Sequence, residues 1–422
     1  MSLVHKIKEK LSGGVSVLMA GTLLSQLIPF LISPILTRIF TPQEFGAFGL
    51  YFSITMIFSV FITGRYEMAI MLPKDDRDSM SLVGLSLCIT ISVSAILFVI
   101  VLFFGHEIAV LLKSSLIERW LLLLPVTMIA IGTYQTFNYW NNRKGNYTRL
   151  SLSRVARSAN TSGSSVLLGH SFLKSGGLIL ADSIGQVISS AFLFVRTWKE
   201  DKLLIKQIEK NGMKEQAIRY QQFPKINVLS GLIEKTSGQS PVFMISSFFG
   251  EAVSGFFSFS QRIIGAPASI ISRAVGDVFR QKANLEYQEN GHCEAVFIKT
   301  LKQLSLLGVA LFTIFFAFAP QIFAVVFGEK WIVAGEYAQL MTPMFFLQFV
   351  VSPLSNMFLI AEKQKLDLYL QVFLLVGVLS AFLCGYNIFK EPKMCIILFT
   401  FVYSCKYIVE LYLSYQFSKG KK

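Results

Sequence analysis

Apolar residues run along this chain in long blocks separated by short polar gaps. A helix needs about 20 mainly apolar residues to cross the hydrocarbon core of a bilayer. On that rule the windows 12–39, 43–72, 79–104, 117–141, 146–169, 176–198, 224–249, 251–279, 296–320, 332–360, 366–388 and 393–416 read as twelve transmembrane helices. The pattern therefore predicts an all-α membrane protein.

One window departs from the pattern. Residues 151–165, SLSRVARSANTSGSS, hold Leu152 and Val155 as their large apolar residues. Dropping the window would move the basic stretch from Arg196 to Lys225 to the outer face, against the bias that keeps Lys and Arg on the cytoplasmic side. Parity thus predicts a polar helix that faces protein or water and not lipid. With the N-terminus inside, Lys6, Lys8, Lys10, Lys74, Arg77, Arg143, Lys144 and Arg149 are cytoplasmic, as is the Arg196–Lys225 stretch. The outer gaps carry Arg38, Lys113, Arg119, Lys174, Lys330, Lys390 and Lys393. Both termini are expected in the cytoplasm.

Composition agrees with this picture. The 422 residues are 53% hydrophobic and 15% charged, with a mean hydropathy of +0.57, well below the roughly 25% charged of soluble domains. The net charge of +14 is scattered through the gaps and forms no single patch, which excludes nucleic acid as the expected partner. Cys88, Cys293, Cys384, Cys395 and Cys405 lack a C-x-x-C spacing, and His5, His106, His170 and His292 lack metal-ligand spacing, so neither a disulfide framework nor a metal centre is expected. The D-x-D pattern Asp76-Arg77-Asp78 lies in a loop too short for a nucleotide-sugar domain, and no outer loop is large enough for a catalytic centre. A glycosyltransferase or polymerase is therefore disfavoured.

The chain also resembles itself. Phe40, Gly46 and Phe48 fall opposite Phe249, Gly255 and Phe257, and Pro125 and Asn138 fall opposite Pro343 and Asn356, both at close to half the chain length. Two pseudo-symmetric six-helix lobes are predicted, residues 1–200 and 224–422, joined by a charged cytoplasmic linker at 201–223.

Three stretches, LTRIFTPQEFGAFGLY, GRYEMAIMLPKDDRDS and FFGEAVSGFFSFSQRIIGAPASIISRAVGDVFRQK, resemble polysaccharide flippases of the Wzx type. These belong to the superfamily, known as MOP, that also holds the multidrug MATE exporters and the lipid II flippases. The resemblance implies a MATE-like fold in the bacterial inner membrane that translocates an undecaprenyl-pyrophosphate-linked oligosaccharide by alternating access. It implies lipid-linked oligosaccharide and membrane lipids as partners, with a polysaccharide polymerase and chain-length regulator nearby. No cofactor is implied beyond a coupling ion, H+ or Na+. Lipid II flippases carry two further helices, whereas this chain stops at FSKGKK, so an O-antigen or other surface-polysaccharide unit is the expected cargo. A teichoic-acid precursor remains an alternative.

Charges inside the windows carry the candidate chemistry, because one at mid-membrane costs about 2.5–3.5 kcal/mol on insertion scales. The bases are Arg65, Arg154, Arg157, Lys235, Arg262, Arg273 and Lys406, and the acids are Glu67, Asp182, Glu234, Asp277 and Glu410. A surplus of bases suits a pyrophosphate that must replace its hydration with fixed donors and disfavours a pocket for cationic drugs. Arg262 and Arg273, eleven residues apart, share a helix face, and Arg262 is the first-choice substrate contact. Arg154 and Arg157 share theirs with Ser158 and Thr161, which form either a wet wall or interhelical glue. Arg65, about eight residues or roughly 12 Å from Pro73 on a regular helix, either snorkels to the interface or captures the head group with Lys235 and Arg273. Adjacent Glu234 and Lys235 are expected to find separate partners. Glu67, Glu234 and Asp277 are candidate ion-coupling groups, whereas Lys406 and Glu410 are expected to satisfy each other as an i, i+4 pair. Pro29, Pro34 and Pro267 invite bends.

Overall fold

The computed structural model describes residues 3–420, with the side chains of residues 3–12 and Val15 outside that description. The side chains of Lys6, Lys8 and Lys10, and all of Lys421 and Lys422, thus fall outside the described residues. The chain divides into two compact units. One comprises Met1–Phe40 and Ala47–Lys235, the other Thr41–Gly46 and Thr236–Lys422.

Helices α1 (Leu3–Ile39), α2 (Pro42–Phe58), α3 (Asp76–Leu111), α4 (Ser115–Leu121), α5 (Leu124–Arg143), α6 (Tyr147–Gly169), α7 (Gly177–Glu200), α8 (Lys202–Lys206), α9 (Lys210–Arg219) and α10 (Val228–Phe249) follow in order. Then come α11 (Glu251–Asn290), α12 (Glu294–Phe327), α13 (Ile332–Leu354), α14 (Met357–Ile360), α15 (Gln364–Cys384) and α16 (Pro392–Ser418). A helix lies in each of the twelve predicted windows. Among the described residues seven helices are long and apolar enough to cross a membrane, or eight if α4 and α5, bent by 61°, form one span. The protein is a multi-pass, all-helical membrane protein. Helices α1 and α11 run unbroken through Pro29, Pro34 and Pro267.

Polar α6 is a helix because its small residues let its neighbours approach closely. It packs between α1 and α7. A Cβ on Gly21 would sit 1.8 Å from Ser151 Oγ, and one on Gly185 would sit 2.0 Å from Thr161 Oγ1. Ser158 donates to the Ser25 carbonyl at 2.6 Å. In lipid there is little hydrophobic drive between helices, so such contacts and hydrogen bonds hold them together. Ser158 therefore acts as glue between α6 and α1.

In the second unit α13 packs against α11, α12 and α16. Fully buried Trp331 meets Phe45, Phe256 and Phe259 with ring centroids 4.5–5.8 Å apart. The repeated glycines meet here too. A Cβ on Gly46 would lie 2.0 Å from the Glu251 carbonyl oxygen, and one on Gly255 would lie 1.9 Å from the Pro42 carbonyl oxygen. Residue 42 precedes Gly46 by four positions as residue 251 precedes Gly255, so the two contacts are reciprocal.

One expectation about the windows needs correction. The window 43–72 is not one helix: α2 stops at Phe58, Gly64 and Arg65 take left-handed backbone angles at φ 61° and 62°, and Tyr66–Met71 is a 3-10 turn. The 12 Å depth inferred for Arg65 assumed a regular helical rise and does not apply. Residues 201–223 fall in the first unit and contain α8 and α9. Helix α9 lays Gly212, Met213 and Gln216 against α3, where Met213 and Ile208 approach Gly84 and Gln216 is 1% exposed.

Replacing Gly255 by Val should lower the thermal midpoint of the purified protein by several degrees, because overpacking typically costs about 1–3 kcal/mol. Gly163→Ala, with open space around its Cβ, should leave the midpoint unchanged or raise it. Equal midpoints for Gly255→Val and the parent would contradict the close contact.

Candidate functional site

The break after α2 gathers charge inside the first unit. Gly64 supplies a left-handed residue without steric penalty. Arg65 repeats that conformation at a cost of roughly 1–2 kcal/mol, which the surrounding contacts must offset. Its guanidinium leans on α10, where a Cβ on Gly231 would sit 2.5 Å from Arg65 Nη2. Arg65 Nη1 lies 3.9 Å from Glu67, beyond hydrogen-bond range. Its buried Nε has no partner among the described residues. Glu67, 2% exposed, accepts a hydrogen bond from the Thr63 hydroxyl, and Tyr139 lies near enough to feel both charges.

Arg143, the last residue of α5, fixes the far end of this segment. Its Nη1 donates to the carbonyls of Ile70 and Pro73 at 3.3 and 2.7 Å, and its Nε to Asp76 at 2.9 Å. Asp76 also receives Lys144. Such multiple donation uses the planar fork that Lys lacks. Arg143 is thus more than the topology signal read in the sequence.

On α6, Arg154 Nη1 donates to the Thr22 hydroxyl of α1 at 2.6 Å, and no carboxylate partner reaches it among the described residues. Arg157 lies 3.8 Å from Asp182 on α7. Lys235 and Glu234 pair with each other at 3.1 Å, correcting the expectation of separate partners. Both side chains are partly exposed, and that lets them swing round the helix toward one another.

In the second unit Arg262 and Arg273 lie on the unbroken α11, both exposed. Arg273 makes no hydrogen bond or ion pair among the described residues. Asp277, one turn further on, is also exposed, as is Glu234, so of the three expected ion-coupling carboxylates Glu67 alone is enclosed. Lys406 and Glu410 form the expected pair at 2.6 Å, 6% and 4% exposed, with Lys406 Nζ 4.5 Å from the Tyr407 ring. Among the described residues no cluster of three His, Cys, Asp or Glu could hold a metal ion.

The sequence reading missed Thr63, Tyr139, Arg143 and Gly231. Thr63 and Tyr139 are ordinary in an apolar window, and glycine is common in membrane helices. Nothing local marks them.

Residues 35–336 match the family described as polysaccharide biosynthesis protein. No curated protein matches the chain. Among solved structures, an inward-facing multidrug resistance MATE family transporter of the MOP superfamily aligns with a TM-score of 0.67 at 17% identity, covering 94% of this chain and 92% of its own. The inward closed lipid II flippase MurJ gives 0.65 at 12%, covering 97% and 87%. A MOP superfamily transporter from Pyrococcus furiosus, described as having a binding pocket of reverse polarity, gives 0.61 at 15%, covering 97% and 96%. All three are transporters or flippases, and none is an enzyme. At these identities the likeness establishes a shared fold, while the match over residues 35–336 establishes kinship: the chain belongs to the polysaccharide biosynthesis protein family, built on the MOP transporter fold.

Proposed function

We propose that this protein is a flippase that carries an undecaprenyl-pyrophosphate-linked oligosaccharide from the cytoplasmic to the periplasmic leaflet of the bacterial inner membrane by alternating access, with both termini in the cytoplasm. The observation that carries the reading is that Arg154 and Arg273 stand inside predicted spans with no carboxylate partner among the described residues. An unpaired guanidinium there is retained at a cost of about 2.5–3.5 kcal/mol, and a ligand phosphate would offset it through charge-assisted hydrogen bonds. The membership in a polysaccharide biosynthesis family and the fold shared with MurJ support a lipid-linked glycan as cargo. A multidrug role fits less well, since a cationic drug would meet these bases.

Each base has a distinct part. Arg273 and Arg262 on α11 offer donors along one face, and Arg154 on α6 offers a second set. Arg65 is held by strained backbone and by Gly231 with its hydrogen-bond capacity incompletely used, so it is set to take a phosphate oxygen. Arg157 and Lys235, each beside a carboxylate, contribute less charge. Glu67, enclosed and facing Arg65, is the group to which we assign a coupling H+ or Na+: neutralising it would strengthen the field of Arg65 on the head group, and ionising it would weaken that field.

In vesicles loaded with fluorescently tagged lipid-linked oligosaccharide, Arg273→Ala should slow translocation by about ten-fold, the worth of one charge-assisted hydrogen bond, and Arg273→Lys should recover part of it. Alanine protein working at the parent rate, at equal incorporation, would remove Arg273 from the mechanism. Gly231→Ala should slow translocation several-fold with little change in thermal midpoint, because the new methyl displaces a flexible guanidinium, touches the Val60 side chain at 3.0 Å and meets no backbone. An unchanged rate would show that the position of Arg65 is not used.

A further inference from the structure

We propose that the second unit carries a separate groove for the sugar rings of the cargo, at the end of α11 where its membrane window closes. This deepens the flippase reading and rests on it. The groove encloses about 600 Å³, within the 300–1,000 Å³ of typical small-ligand sites. Its walls are α11 and the segment that follows α13.

The polar lining is Asp277, Arg280, Gln281, Asn284, Gln288 and Glu362. Asp277, Gln281, Asn284 and Gln288 follow at spacings of four, three and four residues. That spacing sets them in a single row down one helix face, about 16 Å from end to end. Glu362 faces them from the other wall, its backbone in the left-handed region at φ 57°. Among the described residues none of these six side chains makes a hydrogen bond or an ion pair. Six polar side chains therefore line one groove without a protein partner, five of them exposed and free to exchange water for a ligand.

Their chemistry selects the ligand. Two carboxylates against one guanidinium give the groove a net negative lining in a chain of net charge +14. A pyrophosphate would be repelled by Asp277 and Glu362, whereas hydroxyl groups donate to carboxylates readily. The three primary amides each offer both donors and an acceptor, which suits vicinal hydroxyls that do both. Tyr287 and the apolar Leu359 and Ile360 complete the lining and give the less polar faces of a sugar ring something to rest on. The ligand class is thus an uncharged or amino-bearing oligosaccharide segment, recognised apart from its phosphate. The head group goes to the arginines and the glycan to the amides.

The test uses full-length protein in vesicles and two probes. One is the complete lipid-linked oligosaccharide from the producing cells, and the other is the same pyrophosphate carrier bearing its first sugar alone. For the Gln281→Leu/Asn284→Leu double variant, the half-saturating concentration of the complete oligosaccharide should rise about ten-fold, as for the loss of one or two neutral hydrogen bonds. Transport of the single-sugar carrier should stay at the parent level, which also reports an intact fold. Tyr287→Ala, which removes the ring face, should shift in the same direction. Equal loss for both probes, or loss for neither, would overturn the groove. Equilibrium binding of the oligosaccharide released from its carrier tests the groove without transport: detergent-solubilised parent protein should bind it and the double variant should not. Parent protein that fails to bind the released oligosaccharide contradicts the groove. Parent protein that binds it yet moves neither lipid contradicts the flippase reading and leaves the groove standing.

Discussion

A charge inside the hydrocarbon layer must be paired or wet, and this constraint organises the molecule. Arg157 meets Asp182, Lys406 meets Glu410 and Lys235 meets Glu234. Arg65 has a weak partner in Glu67 and an unmatched Nε. Arg154 has a hydroxyl and Arg273 has nothing among the described residues. The graded series separates structural charge from chemical charge. Breaking a buried pair such as Lys406 with Glu410 leaves an isolated ion and is strongly destabilising, whereas the unmatched bases are already isolated and need water or an anion.

Holding such groups in place demands rigid helices that touch closely. Helix α6 achieves this through Ser151, Ser158 and Thr161, against Gly21 and Ser25 on α1 and Gly185 on α7, and so presents Arg154 and Arg157 from a fixed backbone. At the broken second window the same task falls to Arg143, whose fork ties the carbonyls of Ile70 and Pro73 to Asp76. The reciprocal contact of Gly46 and Gly255 has a further consequence. Pro42 and Gly46 touch Gly255 and Glu251 in a reciprocal pair within the second unit, so a bulky substitution in either glycine should disturb the same contact.

Helix positions were legible because the bilayer fixes how long an apolar block must be, and the polar α6 was legible because loop charge imposes parity. The break at Gly64 and Arg65 was not. Residues 59–63 read like the interior of a membrane helix, and the left-handed angles fall at Gly64 and Arg65, where Arg65 meets Gly231 of α10 and Gln135 of α5 donates to the Ser59 carbonyl. Helix α9 hid behind its charge, although Gly212, Met213 and Gln216, with Tyr220 just past its end, trace an uncharged stripe at helical spacing. Of the site, Lys406 with Glu410 followed from i, i+4 spacing. The pairing of Glu234 with Lys235 did not, because neighbouring side chains diverge at Cβ and meet again when long and partly exposed. Asp277 was read as a lone acid for ion coupling, since the opposing Glu362 lies far away in sequence.

The central claim is that the unmatched guanidinium groups stand in water and receive phosphate. It is tested most directly by placing single cysteines at positions 154 and 273 in a protein whose native cysteines are replaced, then measuring reaction with a membrane-impermeant charged thiol reagent, with and without undecaprenyl pyrophosphate. The account predicts ready reaction at both positions and protection by the lipid pyrophosphate. Cysteines that ignore the charged reagent but react with a lipid-soluble one would place these side chains in the acyl layer and contradict it.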